Sequence, residues 1–581
     1  MKALVFLPPL ISAPLLWAAF FPLDLGPIAY VALVPLLLLV RATGIARGWV
    51  YLAAFLGGLL FHLLALNWIR AAHPMMELFA WPALSFACAL FWPLAIALLR
   101  SLDRWKLPLA LTAPVVLVSL EYFRTHCPTG FPFLQYLHMH QLSGFGWYHL
   151  GYTQHSNIPL LQAADLGGVY LLSVGVAAVN GAVAEAVLRS PLIRRLLHCP
   201  VVNTRRGIAK ELWVFAAAAF VPLACVAYGT VRLAHEPFAQ GPKIAAVQGN
   251  LSQTEKMIRG DQAEEGKATP LQEEYFGQAD RAAKGDPKFR PDLIIWPETC
   301  FPVDWVQVSP NAPSDVPQSE RLYAQEIPAQ MGEFTAKRYG TANLYGLNAV
   351  DWDADGRKKY NSALLVHGDG SIGGRYDKIH LVPFGEYVPF KDELPWLQNF
   401  TPYKHDYSCT PGSKWTRFRL PAANGQTYTF GVLICYEDSD PYLARQYNPA
   451  SGRGHEVDFL VNISNDGWFN GTEEHEEHLA ICRFRAVESR RSVVRSVNMG
   501  ISAVIDPDGR VIALPVEGSW SNSKKTRGIV RAEVPIDHRE TVYAQFGDWV
   551  PGLCWALMVG GLIFGRIFRK RIALPPPADL R

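Results

Sequence analysis

The run Gly431-Val432-Leu433-Ile434-Cys435-Tyr436-Glu437-Asp438 holds the chain's character in eight residues. Apolar residues lead straight into a cysteine and the sequence then turns polar. A buried strand reads this way when its C-terminal end delivers a side chain to a cleft. A cysteine so placed can be a nucleophile, because a thiolate attacks carbonyl carbon far better than a hydroxyl does near neutral pH. Taken alone, the stretch equally fits a small buried hydrophobe, which is what most free cysteines are.

The neighbouring sequence repeats the pattern. Lys243-Ile-Ala-Ala-Val-Gln-Gly-Asn250, Pro291-Asp-Leu-Ile-Ile-Trp-Pro-Glu298, Leu344-Tyr-Gly-Leu-Asn348 and Val457-Asp-Phe-Leu-Val-Asn-Ile-Ser-Asn-Asp466 are all apolar runs with polar ends. Helical stretches lie between them. Strands and helices in alternation describe a layered α/β sheet with a site at the C-terminal strand edge. This domain is expected over residues 241–545.

Glu298, Lys378 and Cys435 each sit at an abrupt polar break, among Trp296, Pro297, Tyr376 and Leu381-Val-Pro-Phe384. Such apolar surroundings suit a buried charge with a task more than a solvated one. The three types make a workable set. A carboxylate takes the thiol proton and later returns it to a leaving group. A lysine ammonium lowers the thiol pKa and stabilises an oxyanion. The backbone N–H of Tyr436 offers a second oxyanion donor, and His380 is the rival base.

On either side of this domain the composition changes. Half the 581 residues are hydrophobic, 18% are charged, and the mean hydropathy is +0.09. Apolar spans are expected at about 3–20, 26–41, 48–69, 75–99, 107–121, 160–188 and 212–233, with one more at about 549–568. Each is near the length that crosses a hydrocarbon core. The domain division is therefore 1–240 with seven helices, 241–545 as the α/β unit, and 546–581 as a last helix and tail. Lys and Arg gather in alternate loops, as at Arg41 and Arg47, Arg100, Arg104 and Lys106, and Arg189 to Lys210. The positive-inside rule then puts the N-terminus in the cytoplasm and the α/β unit across the membrane. Arg566, Arg569, Lys570 and Arg571 return the tail to the cytoplasmic side.

Several features argue against other chemistry. A net charge of +3 gives no footprint for nucleic acid. Nine cysteines without a CxxC pair make neither a zinc site nor a disulfide framework, although Cys300, Cys409 and Cys482 leave a disulfide open. Asp351, Asp353, Asp355 and Gly356 resemble a calcium loop, but Ser362 stands where a bidentate Glu belongs, so a hairpin turn is expected. His475-Glu-Glu-His478 is not HExxH and should begin a helix. Glu121, Arg124 and Asp165 fall near span edges. The histidine-rich loop 122–159 is expected to lie on the membrane as an amphipathic segment.

IIWPET at Glu298, GRYDKIHLVPFGEYVP at Lys378 and GVLICYED at Cys435 resemble the Glu–Lys–Cys triad of the nitrilase superfamily. With FFPLDLGPIAYVALVPLL, LNW at 66–68, TGFPF at 129–133, GYTQ at 151–154, YNSALLV, SNDGWF at 464–469 and RFRAVESRR, the chain resembles the apolipoprotein N-acyltransferases of bacterial inner membranes. The resemblance implies a polytopic membrane domain of about eight transmembrane helices bearing a nitrilase-like αββα sandwich on the periplasmic side. It implies transfer of an acyl chain from a phospholipid, through a cysteine thioester, to the α-amino group of a lipoprotein's diacylglyceryl-cysteine. Glu298 would be the base, Lys378 the oxyanion lysine and Cys435 the nucleophile. Glu386, Tyr436 and Glu437 would support them, and Trp468 would line a hydrophobic entrance. No cofactor or metal is implied. The partners are a phospholipid donor, a diacylated apolipoprotein acceptor and the bilayer.

The chain departs from that pattern twice. Extra residues separate Phe133 from Gly151, among them His138, His140 and Trp147, and Met257 stands where the family often has a tryptophan. A membrane-tethered amidase or hydrolase with the same triad, and a non-catalytic membrane scaffold, are the competing readings.

Overall fold

The computed structural model describes residues 2–131, 144–199, 208–234, 237–256, 268–391, 393–400, 407–448 and 457–571. The apolar half forms helices α1 (Leu4–Ala18), α2 (Gly26–Arg41), α3 (Arg47–Ala65), α4 (Met76–Trp105), α5 (Leu109–His126), α6 (Ala164–Val187) and α7 (Ile208–Arg232). Among the described residues, four helical runs are long and apolar enough to cross a membrane: Arg47–Ala65, Met76–Trp105, Ala164–Val187 and Leu212–Arg232. The span expected at 26–41 is broken into short helical pieces, with prolines at 27 and 35 removing backbone donors. α6 carries a non-helical break at Gly167 and Gly168.

The α/β half is two facing sheets. The first, in the order β13-β1-β2-β4-β5-β6 with β3 also on β4, contains β1 (Ala239–Gln248), β2 (Leu293–Ile295), β3 (Trp305–Val308), β4 (Ala342–Asp353), β5 (Gly356–Val366), β6 (Ile372–Asp377) and β13 (Gly528–Ile536). The second runs β12-β11-β10-β9-β8-β7, from β7 (Arg417–Pro421), β8 (Thr427–Ile434), β9 (Phe459–Ser464), β10 (Ser492–Val497), β11 (Ala503–Ile505) and β12 (Val511–Ala513). Ile244, Leu293, Ile295 and Leu365 from one sheet meet Phe430, Val432, Phe459 and Val461 from the other in a single apolar layer. Helices α8 (Pro270–Lys284) and α9 (Gln318–Arg338) flank the first sheet, and α10 (Glu474–Ser489) covers the second. The layers are thus α, β, β, α. The third expected strand does not stop at Asn348. It continues to Asp353 because β4 and β5 form one long hairpin, whose turn uses the Asp and Gly residues of the false calcium loop.

α10 joins the two halves, and every residue in it is buried. Leu479, Cys482 and Ala486 pack under the second sheet, while Ile481, Phe484 and Val487 belong to the membrane-helix core. Polar ties reinforce this seam. Arg490 donates to Asp165 of α6 at 2.7 Å and to Asp508 at 2.8 Å, and Arg232 of α7 reaches Asp165 at 2.9 Å. The backbone N–H of Leu150 donates to Glu121 at 2.7 Å, and Arg124 donates to the Trp147 carbonyl. Of the ionisable groups noted at the span edges, Asp165 therefore ties the halves together, while Glu121 and Arg124 hold the segment from Trp147 to Leu150 against α5. The last helix, α11 (Trp549–Arg571), returns along α5 and α6.

The histidine-rich loop requires a correction. Within the loop 122–159, the stretch from Gly146 to His155 is buried between the halves, not laid on a membrane surface. His149 meets Thr125 Oγ1 at 2.9 Å, His155 meets Asp24 at 2.9 Å, and Trp147 donates to Glu477 at 2.7 Å. These partners make burial cheaper than exposure for its aromatic rings. His138 and His140 lie outside the described residues.

Candidate active site

β8 ends at Ile434, paired in parallel with Ile463 of β9, and the chain enters a 3-10 turn over Cys435–Ser439. Cys435 adopts φ of 53°, the left-handed region, a conformation that costs a non-glycine residue about 1–3 kcal/mol and is typical of functional turns. Fixed partners hold the turn in place. Asn462 donates to the Cys435 carbonyl at 3.2 Å. The Asp438 carboxylate accepts from the Cys482 thiol at 2.6 Å, lies 2.8 Å from His478 Nε2, and sits 3.5 Å from Arg495. The other ring nitrogen of His478 faces Asp466 and Glu474, each at 3.3 Å. Burial opposes a charge on His478, but Asp438 and Asp466 hold its pKa well above the ordinary histidine range.

Glu298 leaves β2 after Trp296 and Pro297. Lys256 fixes its backbone by donating to the Glu298 carbonyl and the Thr299 hydroxyl, both at 2.8 Å. The Glu298 carboxylate accepts from Asn361 Nδ2 at 2.6 Å and lies 3.4 Å from Lys378 Nζ. Lys378 follows β6, its backbone N–H donating to the Asn361 carbonyl at 2.8 Å. Its ammonium meets Glu386 Oε2 at 2.8 Å. Asn361 also donates to Glu386 at 2.8 Å, so one amide spaces both carboxylates around the ammonium. Lys378 is 1% exposed and Glu298 7%. Burial disfavours the lysine's charge, yet Glu386 and Glu298 keep its pKa well above the usual value.

Cys435 completes the group. Burial pushes its thiol up to about 12, the Glu298 charge adds to this, and Lys378 and His478 oppose it. At neutral pH the resting thiol is therefore protonated. Glu437 braces the whole arrangement. Its carboxylate accepts from the backbone N–H groups of Ile434 (2.7 Å), Ile379 (2.7 Å) and His380 (3.1 Å), and from the Tyr376 hydroxyl at 2.9 Å. It thereby ties the end of β8 to the loop that carries Lys378. Burial raises its carboxyl to about 7 against the pull of those N–H groups.

The remaining predicted residues fall as follows. Tyr436 is half-buried, its hydroxyl donating to the Gly144 carbonyl at 2.9 Å. Trp468 is half-buried on the turn Asp466–Phe469, where Phe469 packs edge-on against Trp68 at 4.7 Å. His380 turns towards Asp440 at 3.9 Å, and burial lowers it to about 4. Cys300, Cys409 and Cys482 are free thiols. Met257 lies outside the described residues.

Sequence reasoning missed Asn361, Lys256, Asp438, His478 and Arg495. Asn361 sits inside the quoted YNSALLV motif, and the others act through contacts that no local pattern announces. Asp466, Glu474 and His475 place ligand-type atoms within 4.8 Å of one another. His475 Nε2, however, accepts from the Gly471 N–H at 2.7 Å, which puts the ring proton on Nδ1. The nitrogen facing the two carboxylates lies 3.3 Å from Glu474 and 3.8 Å from Asp466.

Two facing sheets carry Glu298, Lys378 and Cys435 at their strand ends, and residues 234–542 match the carbon-nitrogen hydrolase family model, the class to which this half belongs. Residues 12–182 match the model of the apolipoprotein N-acyltransferase N-terminal domain. The chain belongs to the apolipoprotein N-acyltransferase family. It is 29% identical over 580 residues to the "Apolipoprotein N-acyltransferase" of Geobacter metallireducens, covering 97% of this chain and 96% of the relative. It is 31% identical over 457 residues to the Agrobacterium fabrum protein of the same name, covering 74% and 75%. Among solved structures, Saccharomyces cerevisiae Nit3, a nitrilase-superfamily member, aligns at 19% identity and a TM-score of 0.33, covering 59% of this chain and 98% of that one.

Proposed function

We propose that this protein N-acylates lipoproteins in two steps on Cys435, taking the acyl chain from a phospholipid. Glu298 accepts the thiol proton as sulfur attacks the ester carbonyl carbon. Lys378 and the N–H of Tyr436 hold the oxyanion. When the intermediate collapses, the carbon–oxygen bond breaks, the proton on Glu298 passes to the leaving alkoxide, and a lysophospholipid departs. The α-amino group of the diacylglyceryl-cysteine then attacks the thioester, giving an amide and the free thiol. Glu386, Tyr436 and Glu437 hold these groups in register, and Trp468 lines the approach.

The observation that carries this reading is the ammonium of Lys378, buried between Glu298 and Glu386 at 3.4 and 2.8 Å beside the left-handed Cys435 turn. Membrane helices packed directly under α10 favour a lipid donor, and burial of Glu298 and Lys378 beside Cys435 favours a thioester that outlives contact with water. The same reading takes 1–240, 241–545 and 546–581 as membrane, catalytic and anchoring parts. The lysine and arginine asymmetry supports an inner-membrane protein with the catalytic part periplasmic and both ends cytoplasmic.

The test is intact-mass spectrometry of wild type and Cys435→Ala after incubation with phospholipid alone. The expected result is a hydroxylamine-labile fatty-acyl increment on wild type only, discharged by a diacylglyceryl peptide. An adduct lost equally fast to water indicates a hydrolase. No adduct on folded protein refutes the thioester route.

A further inference from the structure

The extra residues before Gly151 have no part in the scheme above, yet their described end touches the nucleophile turn. Gly144 and Phe145 are tied to the end of α5, their N–H groups donating to the Thr125 and Arg124 carbonyls at 3.0 and 2.8 Å. Tyr436, the residue after Cys435, is gripped from this side three times. Its hydroxyl donates to the Gly144 carbonyl at 2.9 Å and accepts from the Gly146 N–H at 3.2 Å. Its ring lies parallel to Trp147, with 3° between the planes and 6.3 Å between centroids. The approach is close enough to require glycine. A Cβ on Gly144 would stand 1.9 Å from the Arg124 carbonyl oxygen, and one on Gly146 would stand 2.8 Å from that of Ser439, within the nucleophile turn.

Trp147 is itself held from behind. Its indole N–H donates at 2.7 Å to Glu477 Oε2, which also accepts from the Tyr148 hydroxyl at 2.9 Å. Glu477 is a buried residue of α10, the helix shared by both halves. Trp68 packs tilted against the indole, with centroids 5.8 Å apart and 45° between the planes. The ring therefore cannot move without breaking contacts to the membrane helices and to α10.

We propose that Trp147, latched by Glu477, is a positioning residue for the acylation step: it fixes the Tyr436 ring and through it the backbone N–H that stabilises the oxyanion. This inference rests on the thioester reading of Cys435. It makes the stretch from Gly144 to Trp147 a strut from the end of α5 to the nucleophile turn. The geometry has a selective consequence. An oxyanion donor serves attack on a carbonyl but not displacement at a saturated carbon, so loss of the strut slows acylation and spares alkylation.

The experiment measures both reactions on the full-length protein in detergent, comparing wild type with Trp147→Ala, Trp147→Phe, Glu477→Gln and Glu477→Leu. Cys435 acylation by phospholipid is followed by intact mass, and Cys435 alkylation by iodoacetamide. Trp147→Ala is expected to lower the acylation rate constant by about 10- to 100-fold, part of the loss known for removing an oxyanion donor. The phospholipid concentration for half-saturation and the alkylation rate should stay within about twofold. Trp147→Phe keeps a ring on Tyr436 and should recover most of the rate. Glu477→Gln keeps an acceptor oxygen and should match wild type, while Glu477→Leu should follow Trp147→Ala. Unchanged acylation in Trp147→Ala and Glu477→Leu overturns the proposal. So does an equal fall in acylation and alkylation, which would make Trp147 a general prop of the fold. If wild type forms no acyl adduct, the thioester reading falls first and takes this inference with it.

Discussion

Replacing Glu437 with glutamine tests how the site is braced. The carboxylate accepts from three backbone N–H groups: those of Ile379 and His380 on one oxygen, and that of Ile434 on the other. A glutamine must turn its own NH2 towards one side. Facing Ile379 and His380, it strands two donors; facing Ile434, it strands one. The cheaper orientation leaves a single buried N–H unpaired, at a cost of about 1–3 kcal/mol. That donor belongs to the residue before Cys435, so the strand end that carries the proposed nucleophile is released while Lys378 keeps its place. A misplacement near 1 Å costs on the order of 100-fold in rate. Glu437→Ala strands all three donors, roughly 3–9 kcal/mol on the same scale, which approaches the whole stability of a typical domain. The assay pairs thermal unfolding in detergent with single-turnover acylation of Cys435. A Glu437→Gln protein with wild-type melting and wild-type acylation would refute the bracing argument.

Two further predictions follow from other parts of the structure. Because burial pushes the Cys435 thiol up to about 12, its alkylation by iodoacetamide should climb about tenfold per pH unit from neutrality towards pH 10, as the thiolate fraction rises below the pKa; a plateau near neutral pH contradicts a protonated resting thiol. Arg490→Met removes buried pairs to Asp165 and Asp508 at 2.7 and 2.8 Å. Arg232 and Arg539 still reach those carboxylates, so a loss of about 3 kcal/mol is expected, the low end for breaking a buried pair, read as a lower melting midpoint insensitive to salt; an unchanged midpoint refutes the role of this seam.

Much of this molecule was legible one residue at a time. Strand identity at Ile434 and at Ile295 came from short apolar runs with polar ends, because strands buried on both faces need no alternation. Glu298, Lys378 and Cys435 stood out for the same local reason, each a polar residue at a break among apolar neighbours. That His475-Glu-Glu-His478 opens a helix, and that the Asp-rich turn is a hairpin, also followed from local pattern. Other features depended on which distant segments meet. Asn361 spaces Glu298 from Glu386 across 63 and 25 residues of chain, and Trp147 reaches Glu477 across 330. The histidine-rich loop 122–159, which contains the stretch from Gly146 to His155, reads as an amphipathic segment at a membrane surface. That stretch is buried because Glu477, Thr125 and Asp24 supply partners that its own neighbourhood lacks. Periodicity and polar breaks record what each segment must bury, so the sequence alone specifies elements and candidate chemistry. Which donor meets which acceptor across the seam between membrane helices and sandwich depends on long-range packing, and only the tertiary structure decides it.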